Sequence, residues 1–527
     1  MSSMDWERLL STARLGQTRK TPKEGRTDFN TDHDRIVFSS AFRRLQDKTQ
    51  VFPLAETDYV RTRLTHSLEA SNIGRTLGTL AGRRILARLR GDNTNECTED
   101  SGHGTAGSPS RRLADGTADG AGVNASLAGS SGSFATDRHG LSGDNGPSGH
   151  NGLHSLTEDD FGAVVATAAL AHDMGNPPFG HSGEDAIREW FLSHPTGQEI
   201  IGQLPEACRA DLLYFEGNAQ GFRILNRLQF PDRAYGMRLT CAVLGAFMKY
   251  PCDASVMDSG QNAGGRYTKF GLFRAEKDSF AQAAEELGLI ALRPDGSRCT
   301  GPDGTGQTPL AAWARHPLAY LVEAADDICY SIADVEDGFR RGRVTYDEVR
   351  DLLCPLIAPE NNWWERSLEA MRQPTEQVEF LRAVAMGGVV RSAVDCFMEH
   401  EDALLRGEHL KKGLTRHMAL ATPFARLGEV NYAKVYQDPQ VVEIEAAGYE
   451  VMDRLLTAFG GAVFRRYNGR MTTRDTTVVK LFPAIRHAAQ DSLYEHMLEV
   501  TDFVSGMTDT SAVSLYKKLS GMTLGRG

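Results

Sequence analysis

The sequence predicts a mostly α-helical protein, and three observations carry that prediction. Apolar residues recur at helical spacing through FGAVVATAALAHD (161–173), LAYLVEAADDICYSIADVEDGF (318–339) and VVEIEAAGYEVMDRLLTAF (441–459). Helix-start signals stand at Thr157 with Asp160, before the first of these stretches, and at Thr345 with Glu348, after the second, each pair three apart as in a capping box. Strand signals are few and short, for example around Arg343 to Tyr346.

The elements follow in chain order. Arg63 and His66 stand three apart, so a helix there carries both on one face. From Gly91 to His154 the chain is rich in Gly, Ser, Asn and Asp and nearly free of large apolar residues. Such a segment cannot offset its ordering entropy by burial, and it reads as a disordered insertion in a surface loop. Its histidines, His103, His139, His150 and His154, read as solvated linker residues. Thr157 and Asp160 open the next helix, which ends where GNPPFG cannot continue it. Helical patterns follow in EDAIREWFLSH (184–194) and NAQGFRILNRL (218–228). Pro251 to Arg266 and Arg293 to Gln307 read as loops. The 318–339 helix closes at Asp337-Gly338, with Gly338 in the left-handed position past the helix end. This divides the chain into 1–90, the insertion 91–154, a core 155–340 and a C-terminal helical region 341–527.

Composition sets bounds. At 527 residues, 41% hydrophobic and 24% charged, the chain is an ordinary globular protein with room for a large core. No stretch reaches the roughly 18 apolar residues that span a bilayer. The N-terminus lacks the apolar region of a secretory signal, so cytoplasmic residence is expected. Eight scattered cysteines without a CxxC pair read as free thiols, several of them buried. A net charge of −11 argues against a general nucleic-acid binder but leaves room for a local basic pocket.

Three short patterns carry chemistry. His172-Asp173 ends an apolar helix, where neither side chain tolerates burial alone and the helix dipole favours a cation. Asp326, Tyr330 and Asp334 are each four apart, on one face of an otherwise apolar helix. Without a ligand that face would be a polar stripe in a helix contact. With His66, these patterns supply two imidazoles and two carboxylates from separate helices. That nitrogen and oxygen donor set suits a divalent cation, Mn2+ or Mg2+, or Fe, Co or Zn, without choosing among them. His181 and Glu184 stand three apart at a helix start. A histidine oriented by a carboxylate is a general acid/base arrangement. A capping interaction is the plainer alternative.

These motifs sit in a specific frame: DHDRIVFSSAFRRLQDKTQVFP (32–53), DYVRTRLTHSLEASNIGRTLG (58–78), AHDMGNPPFGHSGEDAI (171–187), FEGNAQGFRIL (215–225), HPLAYLVEAADDICYSIADVEDG (316–338) and TDFVSGMTDTSAVSLYKKLSG (501–521). The set resembles the deoxyguanosine triphosphate triphosphohydrolases of the HD phosphohydrolase superfamily. The resemblance implies an HD-domain helical bundle with an additional C-terminal helical region. It also implies hydrolysis of a deoxynucleoside triphosphate, dGTP first, to deoxynucleoside and triphosphate. A phosphohydrolase acting on a nucleoside monophosphate or (p)ppGpp is the alternative.

Carried over by position, His66, His172, Asp173 and Asp326 are the implied metal ligands. The doublet offers Asp326 or Asp327, and the family spacing of a Tyr and an Asp after the ligand selects Asp326. Tyr330 and Asp334 are then implied sugar contacts. His181 and Glu184 are the implied acid/base pair. Gln46 is implied near sugar and base, Arg63 at the α-phosphate, and Asn218 as a further polar group of the site. Lys249, Tyr250 and Lys269 are implied phosphate contacts. The family also implies a homo-oligomer. A dNTP effector is a further implied partner, and single-stranded DNA on Arg340, Arg341 and Arg343 is a separate candidate read from those basic residues. The plainer reading of those arginines is a solvated basic turn.

Overall fold

The computed structural model describes residues 3–17, 26–50, 61–91, 155–230, 235–258, 267–293, 296–299, 312–357, 363–482 and 492–522. The expected insertion, apart from Gly91, lies outside the described residues, as does part of each of the two expected loops.

Three helices form the centre: Arg63–Arg90, Glu158–Ala171 and Pro317–Arg340, packed against one another. The Glu158 helix starts as expected, with the Asp160 carboxylate accepting from the Thr157 N–H at 3.0 Å and its hydroxyl at 2.9 Å. Its first turn carries Glu158, Asp159 and Asp160, which complement the positive end of the helix dipole. From Phe161 to Ala171 every residue is buried. Burying each Val, Leu or Phe of this stretch contributes about 1.5–3 kcal/mol.

The sequence permits this burial because the facing helix offers glycines. A Cβ on Gly78 would lie 2.6 Å from the Phe161 carbonyl oxygen, and one on Gly82 would lie 2.7 Å from the Phe161 ring. The two helices therefore approach backbone to backbone, closer than larger side chains would allow. The long Pro374–Leu405 helix covers the Arg63 and Pro317 helices from outside. In the C-terminal region, Pro439–Tyr467 packs on His181–Ser193, Leu493–Ser505 and Asp509–Leu519. That contact joins the end of the chain to the middle.

Strand content is as small as expected. Ala291–Leu292 pairs antiparallel with Ala312–Trp313 in the register Ala291 to Trp313 and Leu292 to Ala312. Two local expectations need correction. Arg343 to Tyr346 is no strand: a turn leads to Thr345, which caps the Tyr346–Leu353 helix in a capping box with Glu348. The preceding helix does not close at Gly338 but runs on to Arg340. Gly342 takes the left-handed conformation at φ +69°. The Arg343 and Val344 N–H groups return to the Gly338 carbonyl at 2.8 and 3.1 Å. Gly338 is small for packing instead, since a Cβ there would meet Val344 at 2.8 Å.

The cysteines of the described residues form no disulfide, with Cys208, Cys241, Cys252, Cys329 and Cys396 buried and Cys299 exposed. No helix among the described residues is long and apolar enough to cross a membrane.

Candidate metal and substrate site

The three central helices bring their polar residues to one place. His66 lies one turn into the Arg63 helix, and His172 and Asp173 follow the end of the Glu158 helix. One donor atom each from His66, His172 and Asp173 falls within 4.8 Å of the others. From the Pro317 helix, Asp326 Oδ1 comes to 3.0 Å from His66 Nε2 and 3.3 Å from His172 Nε2. Asp327 points elsewhere. It accepts from the Thr415 hydroxyl at 2.8 Å and from the Tyr330 hydroxyl at 3.3 Å.

Neighbouring groups orient these side chains. His172 Nδ1 donates to the Ala169 carbonyl at 2.6 Å, which turns Nε2 toward the cluster. Asp173 accepts from Arg63 Nη1 at 2.8 Å and from the Asn176 amide at 2.5 Å. Burial opposes charge on His172, Asp173 and Asp326, yet their charged neighbours outweigh it. Arg63, His172 and His66 outweigh burial and hold Asp173 down to about 2. Asp173 and Asp326 outweigh burial at His172 and raise it to about 9. The two histidines hold Asp326 well below the usual carboxylate range. In effect the carboxylates draw a proton into a place that a cation would fill.

Arg63 also touches the turn that leads to His181, since a Cβ on Gly180 would lie 2.6 Å from Arg63 Nη2. His181 Nδ1 sits 3.0 Å from Glu184 Oε2. The His181 side chain is 80% exposed and that of Glu184 only 3%, so the buried carboxylate orients a solvent-facing ring. Glu184 Oε1 accepts from the Gly217 N–H at 2.7 Å. Despite burial, Glu184 is held below its usual range by His181, Lys269 and Arg188. Asn218 and Lys269 meet on Glu216 Oε1, each at 2.9 Å.

The remaining expected residues spread more widely. Lys249 pairs with Glu323 at 3.3 Å, one turn before Asp326 and Asp327. Tyr250 stacks under Arg315, whose guanidinium carbon is 5.3 Å from the ring centre. Asp334 is buried and accepts from the Tyr436 hydroxyl at 2.5 Å. Gln46 is exposed on the short Leu45–Asp47 turn. Arg340 pairs with Glu336 and Glu379 at 3.0 and 2.5 Å, and Arg343 with Asp438 at 2.6 Å. Sequence reasoning missed Lys48, Glu216, Tyr436 and Asp509. Lys48 is buried and donates to the carbonyls of Asn176 and Ser505 at 2.5 and 3.0 Å. A lysine inside the RRLQDKTQ motif was the available signal.

Comparison with known proteins matches this frame along the whole chain. A family model described as a phosphohydrolase-associated domain matches residues 414–518. The deoxyguanosinetriphosphate triphosphohydrolase-like protein of Synechocystis sp. is 35% identical, over 99% of this chain and 100% of its own length. This chain belongs to the deoxyguanosinetriphosphate triphosphohydrolase family of the HD superfamily. A triphosphohydrolase-like relative from Pseudomonas aeruginosa is 34% identical over 98% of this chain and 99% of its own length. The deoxyguanosinetriphosphate triphosphohydrolase of Salmonella arizonae is 28% identical over 98% of each chain. Family membership makes the chain a hydrolase of this type. The C-terminal match covers Thr415, Tyr436 and Asp509, which contact, in that order, Asp327 (beside Asp326), Asp334 and the turn at Phe179.

The residues present fit a divalent cation. Two imidazoles and two ionised carboxylates face one another, His172 is locked with Nε2 toward the cluster, and the cluster lies at a helix C-terminus.

Proposed function

We propose that this chain hydrolyses a deoxynucleoside triphosphate, dGTP first, to deoxynucleoside and inorganic triphosphate by attack of water on the α-phosphorus. The observation that carries this reading is the meeting of Asp326 with His66 and His172 beside the His181–Glu184 pair, in a chain of this family.

His66, His172, Asp173 and Asp326 would hold a divalent cation, Mn2+ or Mg2+ before Fe, Co or Zn. Such a cation supplies Lewis acidity at a phosphoryl oxygen and acidifies a bound water. The rest of the work falls to the side chains. Arg63 sets positive charge against the α-phosphate, and Lys249, Tyr250 and Lys269 receive the other phosphates. His181 exchanges its proton at Nε2, because Nδ1 is turned to Glu184. Tyr330 packs on the deoxyribose, where a ring against the 2′ carbon leaves no room for a ribose hydroxyl. Asp334 accepts from the 3′-hydroxyl, while Gln46 and Asn218 complete the polar lining.

Cytoplasmic action, homo-oligomeric assembly, and a dNTP effector or single-stranded DNA as further partner belong to the same reading. The test is direct. Chelator-treated protein is reloaded with Mn2+ or Mg2+, and each dNTP is supplied alone and in mixtures. Ion chromatography then identifies the product. Triphosphate supports the reading, whereas pyrophosphate or orthophosphate overturns it. Mixture-dependent rates support an effector, and a salt-dependent filter titration tests single-stranded DNA.

A further inference from the structure

Two buried carboxylates lie near each other, and Glu184 is the one bonded to the exposed imidazole of His181. The other, Glu216, begins the GNAQGF segment one residue before the Gly217 N–H that anchors Glu184. Both side chains are 3% exposed. Between them lie two cations. Arg188 Nη2 is 2.9 Å from Glu216 Oε2 but 3.8 Å from Glu184 Oε2. Lys269 Nζ is 2.9 Å from Glu216 Oε1. The Asn218 amide donates to that same oxygen at 2.9 Å. Asp185 takes Arg188 Nη1 at 2.8 Å, the Phe215 carbonyl accepts from Arg188 Nε at 2.7 Å, and Arg63 faces the turn at Gly180.

This arrangement divides the charges unequally. Glu216 receives three side-chain donors, two of them cationic. Glu184 keeps His181 and one backbone N–H as direct partners, with Arg188 farther off at 3.8 Å. Without the Glu216 charge, Arg188 and Lys269 would face Glu184 as the nearest buried anion. A carboxylate neutralised by two cations no longer stabilises an adjacent imidazolium.

We propose that Glu216 is a positioning residue for the proton-transfer pair: it retains Arg188 and Lys269, and so leaves the Glu184 carboxylate to His181. The proposal rests on the reading of His181 and Glu184 given above. The raised proton affinity of Glu216, due to burial and then to the charge of Glu184, agrees with two anions sharing limited countercharge.

The test reads His181 itself, without substrate. Full-length protein is labelled with 13C at the histidine Cε1 positions, and the His181 signal is assigned by its loss in His181→Asn. Glu216→Gln is expected to move the His181 titration midpoint down by about one pH unit. Adding Lys269→Met to Glu216→Gln is expected to bring it back, because the released cation is gone. Damage to packing would not be repaired by a second substitution. An unmoved midpoint in Glu216→Gln, or no return in the double variant, overturns the proposal. Should Glu216→Gln fail to fold, Lys269→Met alone must move the midpoint upward, and a flat result overturns the proposal equally. Triphosphate release from dGTP is measured separately. Failure of that assay removes the substrate reading and leaves the His181 titration to decide this one.

Discussion

The backbone N–H of Phe179 donates to Asp509 Oδ1 at 3.1 Å, across 330 residues of chain. Phe179 has φ +62°, a conformation that costs a bulky residue about 1–3 kcal/mol. It is held there from outside. Asp509 also accepts from the Thr49 N–H at 2.9 Å, and Lys48 fixes the Asn176 carbonyl of the same turn. This turn separates His172 and Asp173 from His181, so the C-terminal helix sets the spacing of the two chemical groups. Asp509→Asn replaces one acceptor by a donor that faces an N–H. It is expected to lower kcat on dGTP by about 10-fold or more and to cost little further in a His181→Ala background. Fully additive losses would show that Asp509 acts on something other than the placement of His181.

What the sequence made legible was local. The capping boxes at Thr157 and Thr345, the helix end at His172 and the face shared by Arg63 and His66 depend on neighbours within one turn. What it hid was distant. Lys48 meets the Ser505 carbonyl 457 residues away, and Asp509 meets Phe179 only through the packed C-terminal helices. Nothing in local periodicity encodes such pairs. Gly338 was misread because a glycine near a helix end usually terminates it, whereas here close contact with Val344 demands the missing side chain. Glu216 was passed over for Asn218 because an acid in a loop needs its partners, Arg188 and Lys269, to reveal a role.

The Asp326–Asp327 doublet gives a sharp comparison. One residue of rotation, about 100°, turns Asp326 to the histidines and Asp327 to Thr415 and Tyr330. Asp326→Asn is expected to weaken Mn2+ binding by about 100-fold or more. Asp327→Asn is expected to retain the metal, with its effect confined to KM and sugar discrimination through Tyr330. Metal content after dialysis, measured by mass spectrometry, decides. Equal loss from both variants would end the assignment.

His181 offers a separation of roles. Its side chain is exposed, and its Nδ1 faces Glu184. His181→Ala is expected to lower kcat by about 100-fold or more with metal content unchanged. Glu184→Gln should fall in the same direction by a smaller factor, because it keeps an acceptor but loses the charge. Loss of bound metal from His181→Ala, with little change in turnover per metal, would instead make His181 a ligand.

Asp211, which is not among the proposed site residues, predicts a stability effect. Its buried carboxylate accepts from the Tyr494 hydroxyl and from the Arg274 N–H. Burial pushes Asp211 up to about 7, against those two hydrogen bonds, with Asp253 and Glu276 adding to the rise. An unfolded Asp titrates near 3.9. Between about pH 4 and 7 the folded chain therefore holds a proton that the unfolded chain has lost. Stability from this group is present below pH 4, falls as pH rises through that window, and is flat above it. Asp211→Asn keeps an oxygen for both donors and removes the titration. Relative to the native protein it should gain about 1–3 kcal/mol between pH 5 and pH 8, a range set by the 1.4 kcal/mol of each pH unit and reduced by relaxation around a charged Asp211. Urea midpoints at the two pH values measure this difference. The same offset at both would mean that Asp211 is already ionised at pH 5 in the folded protein.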